Sequence, residues 1–302
     1  MTRLRADVAL VATAFLWGLA FIAQKESEGV VPPICFVAAR FALSALALAP
    51  FAFFETRRSL TPLDAKAWKL AVGIALTLFI GSVLQQVGLA TTTATNGGFL
   101  TACYVVLTPL AVWLLTGRAP RPVVAFACAL SMIGAWLLAS GGGPAQPMTL
   151  GDGLILLSDI AWALGIAATP MFLLRRHRPF TLAFLQYFVC TVLATAAALA
   201  FETPHAADFV AAAIPLLYAG LISGAVAFTL QIVAQHYAPA SEAALMLSLE
   251  SVFSALAAAI LLGERLTAAA TAGCALVLAS VLVVEVGPTL LLRFRRERPA
   301  AL

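Results

Sequence analysis

Leu84-Gln85-Gln86-Val87-Gly88-Leu89 opens a stretch, residues 84–139, that recurs without a gap at residues 230–285, where it begins Leu230-Gln231-Ile232. The offset of 146 positions carries Val106 onto Val252, Leu110-Ala111 onto Leu256-Ala257 and Leu115 onto Leu261. It also carries Gly117 onto Gly263 and Cys128-Ala129-Leu130 onto Cys274-Ala275-Leu276. Both copies are almost wholly apolar, so matches among Leu, Val and Ala carry little weight; the matched Gln, Gly and Cys carry more. An internal repeat in an apolar chain is a recurring architecture of transporters, with the substrate site where the halves meet.

Working outward, the 302 residues are 62% hydrophobic and 11% charged, too few charges to cover a water-facing surface. Polar, Pro and Gly punctuation cuts the chain into ten apolar stretches, near 6–24, 32–54, 67–90, 95–116, 121–139, 151–173, 180–201, 209–235, 240–263 and 267–292. Each has about 20 residues, the length a helix needs to cross a ~30 Å hydrocarbon core. The first is read as a retained span rather than a cleaved signal peptide, because no small-residue cleavage site stands out. Cys35, Cys103, Cys128, Cys190 and Cys274 all fall inside these stretches and read as small buried hydrophobes.

The net charge of +4 resolves into topology rather than a nucleic-acid surface. With the N-terminus in the cytoplasm, that side holds Arg3, Arg5, Arg57, Arg58, Lys66, Lys69, Arg118, Arg121, Arg175, Arg176, Arg178, Arg293, Arg295, Arg296 and Arg298. The other side keeps Lys25 and Arg265, while Arg40 sits within a span. This bias places both termini in the cytoplasm and requires an even number of spans. Five helices per repeat is an odd number, so the halves insert upside down relative to each other. The expected fold is therefore an all-α polytopic membrane protein of ten transmembrane helices in a five-plus-five inverted repeat. Residues 1–140 form the first repeat, 151–292 the second and 293–302 a basic cytoplasmic tail, with the halves joined through Gly141-Gly142-Gly143-Pro144.

The loops hold no G-x-x-x-x-G-K-[ST], H-E-x-x-H or G-x-S-x-G, and His177, His205 and His236 are not spaced as a metal pair. Nothing pairs a nucleophile with a base, so neither an enzyme nor a cofactor or metal site is expected.

A charge at bilayer depth costs about 2.5–3.5 kcal/mol even on the lenient insertion scale, so each one needs a reason. Arg40 lies ~12 Å down the second span and Glu250 ~15 Å down the ninth from the other side, at 1.5 Å per residue. Both come close to the midplane, where they can share a cavity and partly compensate each other. The alternatives are a snorkelling Arg40 and a neutral, hydrogen-bonded Glu250. The 146-residue offset pairs Arg40 with Gln186, Gln85 with Gln231, Asn96 with Glu242 and Tyr104 with Glu250. Such a set can supply the convergent polar groups of a binding pocket, or equally hydrogen bonds between helices. Trp17 and Trp162 sit mid-span, away from the interfaces where Trp is usual; they can line a cavity or pack in the core. Asp159, one turn before Trp162, is a second candidate for a cavity-facing acid and equally for a protonated core residue, and with Glu250 it is a candidate to carry a coupled proton. Thr95 and Ser241 are candidate helix N-caps.

The ninth span and its exit, Ser248-Leu249-Glu250-Ser251-Val252-Phe253 followed by Leu262-Gly263-Glu264-Arg265-Leu266-Thr267, resemble the EamA family of the drug/metabolite transporter superfamily. The first half agrees in Leu16-Trp17-Gly18, Ala39-Arg40-Phe41 and Gly98-Phe99-Leu100-Thr101-Ala102-Cys103-Tyr104 through Pro109. The resemblance implies a central cavity built from both repeats and export of small metabolites, commonly amino acids, without nucleotide hydrolysis. Two positions depart from it. The family's Glu-Pro in the ninth helix reads Glu250-Ser251, leaving the hinge role of that Pro open, and its Gly-Glu after the fourth helix reads Gly117-Arg118.

The sequence thus points to a secondary transporter or facilitator in the cell membrane (the bacterial inner membrane), working by alternating access. An intramembrane enzyme or lipid-modifying protein is the other reading. Trp17, Arg40, Gln85, Tyr104, Trp162, Gln186, Gln231, Ser248 and Glu250 are the candidate substrate-binding residues. The expected partners are a small-molecule substrate and the lipid bilayer, without nucleic acid, and a monomer suffices to enclose the site.

Overall fold

The computed structural model describes residues 1–59, 61–92, 94–143, 148–261 and 265–296, with side chains at all of these except 94–96, 261 and 286–296. Pro144, Gly263, Glu264 and residues 297–302 of the tail, and the side chains of Thr95, Asn96, Arg293, Arg295 and Arg296, lie outside the described set. Among the described residues, ten helices are long and apolar enough to cross a bilayer. They are α1 (Arg3–Glu26), α2 (Pro33–Arg58), α3 (Ala65–Leu89), α4 (Gly97–Thr116), α5 (Pro122–Ser140), α6 (Leu150–Arg175), α7 (Pro179–Phe201), α8 (Ala213–Gln235), α9 (Ala240–Ile260) and α10 (Ala268–Glu285). Leu46, Leu114, Leu174, Phe201 and Ile260 point outward and exposed, where hydrocarbon rather than water is the compatible solvent.

The halves do not fold as separate bundles. The closest packings are α3 on α6, α5 on α10, α2 on α7, α1 on both α8 and α9, α3 on α7, α4 on α6 and α2 on α8. Exchanging each helix for the one five later turns α3–α6 into α8–α1, α1–α9 into α6–α4, and α3–α7 into α8–α2. The pairs α2–α7, α4–α9 and α5–α10 map onto themselves, and all three pack. The bundle therefore obeys an inverted two-fold, with α2/α7 at one flank, α1, α3, α6 and α8 in the middle, and α4/α9 then α5/α10 at the other. At the α5–α10 crossing, a Cβ on Gly134 would lie 2.7 Å from the Gly273 carbonyl oxygen, and one on Gly273 would lie 2.4 Å from that of Gly134. Only glycine permits that approach.

One device in this symmetry is a reciprocal cap. Helix ends leave backbone N–H groups without intrahelical partners. Glu202, just past α7, accepts from Ile34 N at 2.9 Å and Cys35 N at 2.8 Å, capping α2. Glu55, near the end of α2, accepts from Thr181 N at 2.6 Å and Phe180 N at 3.4 Å, capping α7 at the opposite face. The recipients are repeat-related: Ile34 and Cys35 fall on Phe180 and Thr181.

The face bearing the N-terminus is knitted by charge. Arg3 reaches Asp7, Glu242 and Glu285, and Arg121 also pairs with Glu242. Arg175 and Arg176 pair with Asp64, whose carboxyl is held at about 2, below the usual range, by the Arg175 hydrogen bond and the Ala67 amide. On the opposite face Lys25 bonds Glu28 and the Leu89 and Thr92 carbonyls.

Candidate functional site

A central cavity of about 750 Å³, counting its open mouth, lies among α1, α2, α3, α4, α6, α7, α8 and α9. Irregular backbone shapes it. α4 breaks between Thr101 and Tyr104, and α9 breaks at Ser248. These breaks are repeat-related, and each falls just before a cavity residue, Tyr104 in one helix and Glu250 in the other. In α9 no proline is needed: Ser248 Oγ turns back to the Leu245 carbonyl at 2.7 Å, and Ser251 Oγ to the Ser248 carbonyl at 2.8 Å. The departure from Glu-Pro is therefore answered by serines that satisfy the locally opened backbone. The break also puts Glu250 in the first turn of the second half-helix, where the aligned peptide dipoles favour an acidic group.

α8 is irregular in another way, with π-helical turns over Tyr218–Phe228. Side chains from three helices grip its carbonyls. Ser44 donates to Gly220 at 2.7 Å, Trp17 Nε1 to Ser223 at 3.3 Å, Tyr187 to Gly224 at 3.1 Å and Thr13 to Ala227 at 3.1 Å. A widened helix of this kind frequently marks a functional site, and this one presents Ser223 and Phe228 to the cavity.

The cavity gathers eight of the nine residues expected to bind substrate: Trp17, Arg40, Gln85, Tyr104, Trp162, Gln186, Gln231 and Glu250. Arg40 and Gln186 enter from the α2/α7 flank, Tyr104 and Glu250 from the α4/α9 flank. Arg40 is 5% exposed and Glu250 3%, and among the described residues neither has an ion-pair partner. The expected mutual compensation is therefore not a direct contact. Arg40 instead donates to Gln24 Oε1 at 3.0 Å and lies against the Phe41 ring, 4.8 Å from its centroid. It does not snorkel to the surface. Tyr104 lies beside Glu250, its hydroxyl near enough to interact with the carboxyl, although neither that hydroxyl nor Glu250 Oε1 makes a hydrogen bond of regular geometry. Gln186 Nε2 is likewise unpartnered. Gln85 donates to Thr101 at 3.1 Å, and Gln231 to Gln235 at 3.1 Å, so these two amides also serve as internal glue. Between the flanks, Phe228 has Trp17 at 4.4 Å and Trp162 at 5.8 Å, an aromatic wall.

Three expectations need correction, and for Asp159 one of two open alternatives is favoured. Ser248 is fully buried at the α9 break, with its hydroxyl 3.2 Å from Ser131 on α5, and does not line the cavity. Asp159 takes the core alternative rather than the cavity-facing one: it is fully buried and outside the lining, with both its oxygens unpartnered, near Tyr104 and Glu250. Ser241 is inside α9, whose N-cap is Pro239. Glu242, set against Asn96 as a cavity candidate, belongs to the ion pairs of the N-terminal face.

Folding also unites what spacing kept apart. His177 and His236 meet edge-to-face with ring centroids 3.8 Å apart. Among the described residues no third Cys, His, Asp or Glu joins them into a metal site. Gln24, Ser223 and Phe228 are cavity residues the sequence reading missed. Gln24, a polar residue near the end of a span, carried a usable signal; Phe228, one Phe among 19, carried none.

Ten spanning helices in an inverted repeat, enclosing a cavity with polar residues at mid-depth, define a membrane transporter. The EamA-like transporter family model matches residues 4–140 and again 149–286, and the chain belongs to that family. An uncharacterized transporter of Archaeoglobus fulgidus is 32% identical over 285 residues, covering 94% of this chain and 86% of the relative. A solved crystal structure superposes with a TM-score of 0.75 at 17% identity, covering 97% of this chain and 99% of its own, a likeness of fold.

Proposed function

We propose that the protein moves small zwitterionic metabolites of the amino-acid type across the cell membrane by alternating access. The observation that carries this reading is a pair of buried ionisable side chains without a direct counter-ion. Arg40 on one flank of the cavity has no counter-ion among the described residues, and Glu250 on the opposite flank has none. Buried charges are costly unless paired, and a zwitterion is a solute that pairs both at once. Its carboxylate would face Arg40 and Gln186, whose Nε2 is free. Its ammonium would face Glu250 and Tyr104, and its side chain would rest against Trp17, Trp162 and Phe228.

Rocking about the broken helices α4 and α9 would expose the cavity to either face in turn. Glu250 and Asp159 are the candidates for proton coupling. Both termini would lie in the cytoplasm, a reading supported by the Lys and Arg bias. The test is counterflow in proteoliposomes with a panel of amino acids, with and without an imposed pH gradient. Accelerated exchange of an unmodified amino acid supports the proposal, and accumulation driven by the gradient supports coupling. Absence of exchange for every zwitterion tested, or conversion into a new product, counts against it.

A further inference from the structure

A second pocket lies away from the transport cavity, on the outer surface of the bundle where α2, α3 and α7 meet at the N-terminal face. It holds about 1440 Å³ of space between its lining atoms, open to its surroundings. Its walls are apolar and aromatic, with Pro50, Phe53, Phe54, Trp68, Phe184 and Leu185 among them. One charged side chain is built into them: Arg178 lines the groove, is only 6% exposed, and donates to the Thr61 carbonyl. No carboxylate pairs with Arg178 among the described residues.

The rim adds more positive charge. The Arg57 guanidinium lies 4.4 Å over the Phe53 ring, on the groove wall itself. Arg58 precedes the groove's Pro62 by four positions, and Lys66 and Lys69 flank Trp68; all are exposed and without ion pairs among the described residues. The two nearby carboxylates are already engaged. Glu55 caps α7, and Asp64 holds Arg175, Arg176 and the Ala67 amide. The rim therefore keeps its charge.

The inverted repeat supplies an internal comparison. The stretch equivalent to residues 49–68 is 195–214, which contains Glu202 and Asp208 but no Lys or Arg. The groove thus pairs an apolar trough with cations at the helix ends along its rim, and only at one of two symmetry-related places. Clusters of basic residues at the membrane surface attract anionic lipids.

We infer that this groove is a binding site for an anionic glycerophospholipid, with an acyl chain along Phe54, Trp68, Phe184 and Leu185 and the phosphate among Arg57, Arg58, Lys66, Lys69 and Arg178. This site is independent of the transport reading. The experiment is native mass spectrometry of the full chain in detergent, titrated with phosphatidylglycerol, with phosphatidylcholine of the same acyl chains, and with glycerol phosphate as a chainless headgroup. The expected result is at least about tenfold preference for phosphatidylglycerol over phosphatidylcholine and no retained glycerol phosphate. Neutralising the rim in R57Q/R58Q/K66Q/K69Q should reduce that preference to less than about threefold. Arg118→Gln, on the same face at the end of α4, should leave it intact, and Ala49→Trp, filling the trough, should weaken both lipids. Equal affinity of the unaltered protein for the two lipids overturns the site without any variant. So does a preference unchanged in the rim variant, or glycerol phosphate retained as well as the lipid.

Discussion

Glu55→Ala and Glu202→Ala should destabilise the protein by similar amounts, although the two residues lie at opposite faces of the membrane. Each carboxylate satisfies two backbone amides at the start of a long helix, at 2.6 to 3.4 Å for Glu55 and 2.8 to 2.9 Å for Glu202. Loss of an N-cap costs about 0.5–2 kcal/mol. Both groups are half-buried, so solvent screens part of the charge, and about 1–1.5 kcal/mol each is the expected cost. The sites sit at opposite ends of the same α2–α7 pair and share no partner, so the double variant should lose about 2–3 kcal/mol, close to the sum. Glu→Gln at either site keeps an acceptor and should cost about half as much as Ala. The assay is thermal or denaturant unfolding in one detergent, followed by helical signal. If one alanine variant is clearly destabilised while its counterpart is neutral, the reciprocal-cap reasoning fails. A double variant far from additive would refute the independence of the two ends.

Other consequences follow from single contacts. Gly18→Leu would drive side chain into the α9 backbone, because a Cβ at this position would lie 2.8 Å from both Glu250 O and Ser254 N. It should cost about 1–3 kcal/mol and lower apparent substrate affinity in counterflow. Ser248→Ala should cost about 1 kcal/mol of stability by losing its bond to the Leu245 carbonyl, while KM stays within about twofold of the unaltered protein. The His177–His236 contact should be acid-sensitive. Burial and the neighbouring His177 imidazole, with a smaller push from the N-terminal amine, hold His236 below its ordinary value of 6.5. A lowered histidine contributes stability that is complete above about 6.5 and is lost as pH falls through that value, because the unfolded chain then binds the proton more readily. Tm should therefore drop on acidification from pH 7.5 to 5.5, and His236→Asn should flatten that part of the profile; an unchanged slope would remove the role.

Much of the architecture was legible because membrane insertion leaves coarse marks. Apolar runs of spanning length, one-sided Lys and Arg, and a fixed repeat offset are all set by the bilayer rather than by fine packing. The same offset pointed to the cavity, since Arg40 with Gln186, Gln85 with Gln231 and Tyr104 with Glu250 all line it. Its failures are local. Ser248 shares a helix with Glu250, but a helix has several faces, and the break at Ser248 turns that hydroxyl toward Ser131. Phe228 depends on π-helical turns that no spacing in the sequence announces. The Glu55 and Glu202 caps were hidden because both residues lie just past the ends of apolar runs, where nothing in the spacing links them to a helix start more than 100 positions away. His177 and His236 lie 59 positions apart and meet only when two loops converge.

The most direct test of the transport site is substrate competition in proteoliposomes. An amino acid that supports counterflow is competed by its own decarboxylated amine and by its deaminated acid, in the unaltered protein, Arg40→Gln and Glu250→Gln. With the two charges recognised from opposite flanks, neither single-charge analogue should compete as well as the intact zwitterion in the unaltered protein. Arg40→Gln should lose discrimination against the amine, and Glu250→Gln should lose discrimination against the acid. Undiminished counterflow with unchanged analogue ranking in both variants would contradict the assignment of Arg40 and Glu250 to the substrate.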